Sequence, residues 1–149
     1  MRLSARELNG FLVEAFPRAE KTFEVQEVTH DGLVLRCHAR EKHLRPGGTI
    51  SGPLLMTMAD TAMYLAVLSR IGLVAMAVTT NLNINFMRKA KQGVLLGRTR
   101  LLKLGKRLAV GDVTIFEAEN PQAVAHASLT YAIPPLDSSA VHRSADHPD

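Results

Sequence analysis

Apolar and polar residues alternate strictly through residues 79–86, TTNLNINF, with Leu82, Ile84 and Phe86 on one side and Asn81, Asn83 and Asn85 on the other. A period of two predicts a half-buried β-strand. Strand-like runs also fill residues 23–29, 33–39, 94–104, 108–118 and 123–133, and turn signals at His30-Asp31-Gly32, Gly105-Lys106 and Asn120-Pro121 separate them. Residues 53–69, PLLMTMADTAMYLAVLS, read instead as a helix: Ala, Leu and Met dominate, Pro53 suits a first turn, and Gly72 follows as a stop. Its apolar residues lie nearly all round, so the rest of the chain has to wrap it. Residues 4–16 predict a short amphipathic helix, with Ser4 as N-cap and Glu7 completing a capping box. The expected fold is α+β: an antiparallel sheet of about six strands around one long central helix, with a short N-terminal helix.

The chain of 149 residues, 46% of them apolar, has the size of one domain with a sizeable core. That domain is expected over residues 1–135, and the polar, aperiodic residues 136–149 read as a flexible tail. A single cysteine, Cys37, excludes an intramolecular disulfide, is expected to be a buried apolar residue, and makes a reducing, cytoplasmic home the default. The first ten residues lack the apolar run of a signal peptide.

Charge is unevenly spread, since residues 46–87 carry only Asp60 and Arg70. A membrane span is a poor explanation, because the 17 residues 53–69 fall short of the length needed and Asp60 lies near their middle. In a buried helix Asp60 must find hydrogen bonds, a cation or a proton. Thr57, Asp60, Thr61 and Tyr64 recur at spacings of three and four and form one polar stripe. Two readings stay open at this point: Asp60 is a satisfied core or interface residue bonded to these hydroxyls, or the stripe lines a cleft where Asp60 does chemistry.

Residues 43–53, HLRPGGTISGP, place three glycines and two prolines before a helix N-terminus, a place that can hold an anion or the oxygen of a polarised carbonyl. The segment matches neither the G-x-x-x-x-G-K-[ST] phosphate loop nor the dinucleotide fingerprint. Ser51 in GTISG stands fourth rather than third, which excludes a nucleophile elbow. This run, followed by Asp60 in MADTA and by VTTNLNINFMRKA, resembles the hotdog-fold acyl-CoA thioesterases of the phenylacetate-degradation type. The likeness spans residues 40–133 in order and spacing, with Arg45 at the family's usual Asn, Ser51 at its His and Pro53 at its second Gly.

The resemblance implies a thioester hydrolase acting on a small or medium acyl-CoA, aromatic ones included, with coenzyme A as part of the substrate and no cofactor. It places the carbonyl-polarising amide at Gly52 and the catalytic acid, general base or nucleophile, at Asp60. Ser51 is expected to donate a second hydrogen bond near the carbonyl, and Arg45 to pair with Asp60, either activating or silencing it. Thr57, Thr61 and Tyr64 are expected at the substrate, and His43 in fixing the loop. Gly52 and Asp60 are eight residues apart, roughly 12 Å along a helix, so a single thioester needs them from different subunits. A homodimer is therefore expected, either alone or as a dimer of dimers.

Residues 88–107 hold eight basic side chains, and no acid occurs between Asp60 and Asp112. Arg88, Lys106 and Arg107 are the choices for coenzyme A phosphates. Nucleic acid is a poor alternative, since only Phe86 lies near enough to stack a base. His126 reads as a packing or surface residue of its strand, and His30, His38, His142 and His147 show no ligand spacing, so no metal is expected. A non-catalytic protein that binds acyl-CoA is the rival reading.

Overall fold

The computed structural model describes residues 2–16, 21–73 and 76–135, so residues 136–149, read above as a tail, lie outside the described residues. Helix α1 (Ala5–Ala15) starts at the capping box that Ser4 and Glu7 predict: the Ser4 hydroxyl accepts from the Glu7 amide and Glu7 accepts in return from the Ser4 amide, both at 3.1 Å. Six strands follow in chain order, β1 (Phe23–Val28), β2 (Gly32–Ala39), β3 (Val78–Phe86), β4 (Gly93–Leu104), β5 (Leu108–Glu117) and β6 (Ala123–Ala132), with α2 (Gly52–Ile71) between β2 and β3. They form one antiparallel sheet in the order β1-β2-β4-β5-β6-β3, which curls around α2.

Helix α2 runs 20 residues, longer at both ends than the stretch legible in the sequence. Ser51 caps it by accepting from the Leu54 amide, and the Gly72 backbone at φ 97° ends it where a Cβ would be strained. Among the described residues it is the one helix long and apolar enough to cross a membrane, but its apolar sides are taken up by the protein's own sheet. Met58, Met63, Leu65 and Leu68 are fully buried against inward residues such as Leu35, Leu95, Ile115 and Leu129. Each such side chain stabilises the fold by about 1.5–3 kcal/mol through burial. Gly111 allows the approach: a Cβ there would stand 2.8 Å from the Met63 sulfur and 2.6 Å from the Arg100 carbonyl oxygen.

Arg70, the second charge of the vacant stretch, lies in the last turn of α2, where a cation suits the helix dipole. Its guanidinium donates to the Thr29 carbonyl at 2.7 Å and so ties the helix end to the β1–β2 turn.

Both sheet edges are managed differently. On β1 the Asn9 side chain acts as a short stand-in strand, donating to the Val25 carbonyl at 3.0 Å and accepting from the Val25 amide at 2.7 Å. On β3 no other strand among the described residues pairs with the outer edge, and Val78, Phe86 and the adjoining Met87 are about half exposed.

The strict alternation read through residues 79–86 fails at its start. Thr79 stands opposite Tyr131 and Asn81 opposite Thr130, which leaves Thr80 as an extra residue in a β-bulge. Leu82 and Ile84 face the helix, so unbroken alternation would turn Thr80 inward. The bulge reverses the parity and turns Thr79 inward instead.

Candidate active site

Three sides of α2 are apolar and covered; the fourth carries Thr57, Asp60, Thr61 and Tyr64 and opens onto a cavity of about 1020 Å³. The opposite wall comes from Leu12 and Val13 of α1 and from Phe16 just beyond its end. Thr79 and Tyr131 complete the polar floor. The stripe read from the sequence therefore does line a cleft.

Asp60 is not held by the hydroxyls of Thr57 and Thr61 on its own helix. Its donors are the Thr79 hydroxyl at 2.5 Å and the Tyr131 phenol at 2.6 Å, and both end on Oδ1. The phenol oxygen also lies 3.0 Å from the main-chain carbonyl of Asp60. Among the described residues no hydrogen bond reaches Oδ2. Burial first, and the neighbouring Asp60 carboxylate next, push the Tyr131 phenol far above its ordinary value, so it stays a protonated donor. Tyr64 packs between Phe11 and Tyr131, with ring centroids 6.2 Å from each. Burial pushes the Tyr64 phenol up as well.

Thr79 and Tyr131 escape sequence reasoning for a common reason. Each lies in a strand whose residues read as sheet pattern, and their convergence on Asp60 depends on the β3–β6 register and its bulge. The one available signal was Tyr131 itself, since a buried phenol needs a partner for its hydroxyl.

The glycine-rich segment is a small hairpin, not a slack connection. Leu44 and Ile50 bridge, Arg45 donates to the Thr49 carbonyl at 2.8 Å, and the Gly48 amide returns to the Arg45 carbonyl at 3.0 Å. Gly47 and Gly48 turn it at φ 105° and 82°. The Ile50 amide anchors the hairpin to the Ala90 carbonyl at 2.9 Å. His43 accepts the Arg40 amide on Nδ1 at 2.8 Å, and its carbonyl accepts the Ser51 amide at 2.9 Å. Among the described residues the Gly52 amide at the first turn of α2 has no acceptor, and the Phe86 ring passes 3.5 Å from where a Gly52 Cβ would stand.

The pairing expected between Arg45 and Asp60 is absent within the chain. Arg45 is exposed at the hairpin, and Asp60 has no ion-pair partner among the described residues. The expected basic cluster also divides. Arg88 bonds the Val124 carbonyl at the start of β6, whereas the Arg107 carbonyl accepts the Ile133 amide beyond its end. Nine residues of strand put these points about 30 Å apart. Lys106 and Arg107 sit with Ile71 and Ile133 at the far end of α2, while Arg88 belongs to the Gly52 end. Arg98 and Arg100 are on the outer sheet face, Arg98 over the Phe116 ring at 5.8 Å and Arg100 paired with Asp112 at 2.9 Å. His126 joins that pair, its Nε2 lying 3.0 Å from Asp112 Oδ2.

A long helix wrapped by one antiparallel sheet is the hotdog fold, and here the helix carries a single carboxylate on its uncovered stripe. The chain belongs to the Thioesterase superfamily, whose family model matches residues 47–124, and it is a thioester hydrolase of that superfamily. An esterase candidate of Pseudomonas aeruginosa is 36% identical over 68% of this chain and 75% of its own length. A thioesterase candidate of Silicibacter sp. TM1040 shares 41% identity, 89% of this chain and 93% of its own, with a TM-score of 0.82. A phenylacetic acid degradation-related protein of Ralstonia eutropha has the same fold at a TM-score of 0.72, with 24% identity over 86% of this chain and 97% of its own.

Proposed function

We propose that the protein hydrolyses acyl-CoA thioesters in a site shared by two copies of the chain, with Asp60 as general base. The observation that carries this reading is the placement of the two reactive groups along β3. Gly52 packs on Phe86 at one end of that exposed strand, and Asp60 is bonded to Thr79 at the other. Antiparallel pairing of β3 with a second β3 about a two-fold axis brings Asp60 of one subunit to Gly52 of the partner subunit. The half-exposed Val78, Phe86 and Met87 are then covered.

In this site the Gly52 amide of the partner subunit donates to the thioester carbonyl oxygen. Asp60 Oδ2 takes a proton from water as the water oxygen bonds to the carbonyl carbon. The tetrahedral intermediate collapses with breakage of the C–S bond, and the thiolate of coenzyme A leaves with the proton held by Asp60. Free acid and coenzyme A are the products, and the carboxylate is restored. The Ser51 hydroxyl, which accepts from Leu54, keeps its own proton to give to the carbonyl oxygen. The small or medium acyl group lies in the cavity, against Leu12, Val13, Phe16 and Tyr64. The same two-fold axis sets Arg88 of one chain at the end of the dimer that holds Lys106 and Arg107 of the other, which suits the coenzyme A phosphates. Arg45, exposed on its hairpin, is available to the same ligand. A reducing, cytoplasmic setting fits the free Cys37.

Thiol release from short, aromatic and long acyl-CoAs, with Asp60→Asn as control, tests the chemistry. Turnover by the native chain and its loss in the variant support the assignment; full activity in Asp60→Asn overturns it. Thermal stabilisation by acyl-CoA without thiol release also overturns it, in favour of a binding protein. Sedimentation tests the shared site, and an active monomer contradicts it.

A further inference from the structure

We infer that Tyr131 is a positioning residue for Asp60: with Thr79 it captures the carboxylate oxygen Oδ1, so that Oδ2 alone is presented to the reacting water. The inference rests on the reading of Asp60 as general base and adds to it the group that sets its orientation.

A carboxylate is close to two-fold about its last torsion, and either oxygen can serve when nothing distinguishes them. Here both donors converge on the same oxygen, at 2.5 and 2.6 Å, in the short range of charge-assisted hydrogen bonds. Rotation of the carboxylate breaks both at once. The phenol oxygen also lies 3.0 Å from the Asp60 main-chain carbonyl, which sets its height along α2 as well as its distance from the side chain.

Tyr131 is itself held fast. It is 2% exposed, on the inner face of β6, and its ring packs against Tyr64. Its direct cross-strand partner is Thr79, the residue that the β3 bulge turns inward. A ring needed only to fill the core would be served equally by phenylalanine, and the hydroxyl is then unexplained. The raised phenol value agrees with a group that remains a donor wherever the protein is folded. Placement on a strand, at the second rank behind the reacting atoms, is what precise aim of a base requires.

The test is Tyr131→Phe, which deletes one oxygen and keeps the ring. With acyl-CoA as substrate, kcat is expected to fall about tenfold with KM changed less than about twofold, the pattern of a contact that serves the transition state. The same change in an Asp60→Asn background produces no further loss. Thr79→Val reproduces the fall from the exposed edge strand, and Thr79→Ser restores activity, so the inference stays testable if Tyr131→Phe folds poorly. Unchanged kcat in a folded Tyr131→Phe, or in Thr79→Val where Tyr131→Phe does not fold, with Asp60→Asn inactive, overturns the positioning role while leaving Asp60 as base. Activity in Asp60→Asn overturns the underlying reading instead. A lowered melting temperature with wild-type kcat below it reduces Tyr131 to a structural residue and also refutes the inference.

Discussion

Thr79 and Tyr131 face each other directly across the β3–β6 ladder, and both hydroxyls end on one oxygen of Asp60. The pair meets there because Thr80 is squeezed out of register as a bulge. Two threonines adjacent in sequence thereby acquire opposite roles.

Replacing each threonine by valine exposes that difference. Thr79→Val is expected to lower kcat, whereas Thr80→Val, which loses a hydroxyl that donates to the Thr130 carbonyl at 3.3 Å, leaves it near wild type. Steady-state kinetics on one acyl-CoA decide the matter. The reverse ranking refutes the bulged register as the functional one.

Asp60→Asn keeps the shape of the side chain and removes its basicity. A fall in kcat of about 10²-fold or more is expected, with the circular dichroism spectrum and melting temperature close to wild type. A small loss shows that the barrier is lowered elsewhere in the site.

Acid stability is expected to depend on the Arg100–Asp112–His126 cluster of the outer sheet face. Burial raises the Asp112 carboxyl, but hydrogen bonds and charge from Arg100 and His126 outweigh it and hold it below the ordinary 3.8. A carboxyl lowered in the folded state stabilises the protein above its unfolded value, and that contribution is lost as pH falls through the folded value. Asp112→Asn therefore melts lower than wild type at pH 7, and the gap closes below about pH 4. A gap independent of pH contradicts this assignment.

Gly111→Ala places a methyl group against the Arg100 carbonyl and the Met63 sulfur. The main-chain contact cannot yield as a side chain can, so a loss of about 1–3 kcal/mol is expected in urea unfolding. Activity should fall with it if α2 shifts and carries Asp60 away from Thr79.

Cys37 is fully buried, and burial pushes its thiol up to about 12 against the smaller opposing pull of Arg40. The native protein is expected to give almost no reaction with a disulfide reagent, and one thiol per chain after denaturation. Thiol release from a substrate can then be followed without interference. Rapid labelling of the native chain shows instead that β2 opens readily.

Much was decided by the sequence alone, wherever a local rule acts on adjacent residues. The Ser4 and Glu7 capping box, the Gly72 stop, the apolar sweep of residues 53–69 and the period-two strands each follow from neighbours a few positions apart. Together they give the wrapped helix, and the lone Asp60 on its polar stripe marks the site. Tertiary structure decided what depends on register and distance. Only the β3–β6 ladder with its bulge brings Thr79 and Tyr131, 52 residues apart in the sequence, onto one carboxylate oxygen. Only the direction of β6 separates Arg88 from Lys106 and Arg107, and only the fold of the 45–49 turn leaves Arg45 exposed without Asp60 as a partner. Periodicity fixes which face of an element a residue takes; one inserted residue reverses that face, and no local pattern records where the chain will insert it.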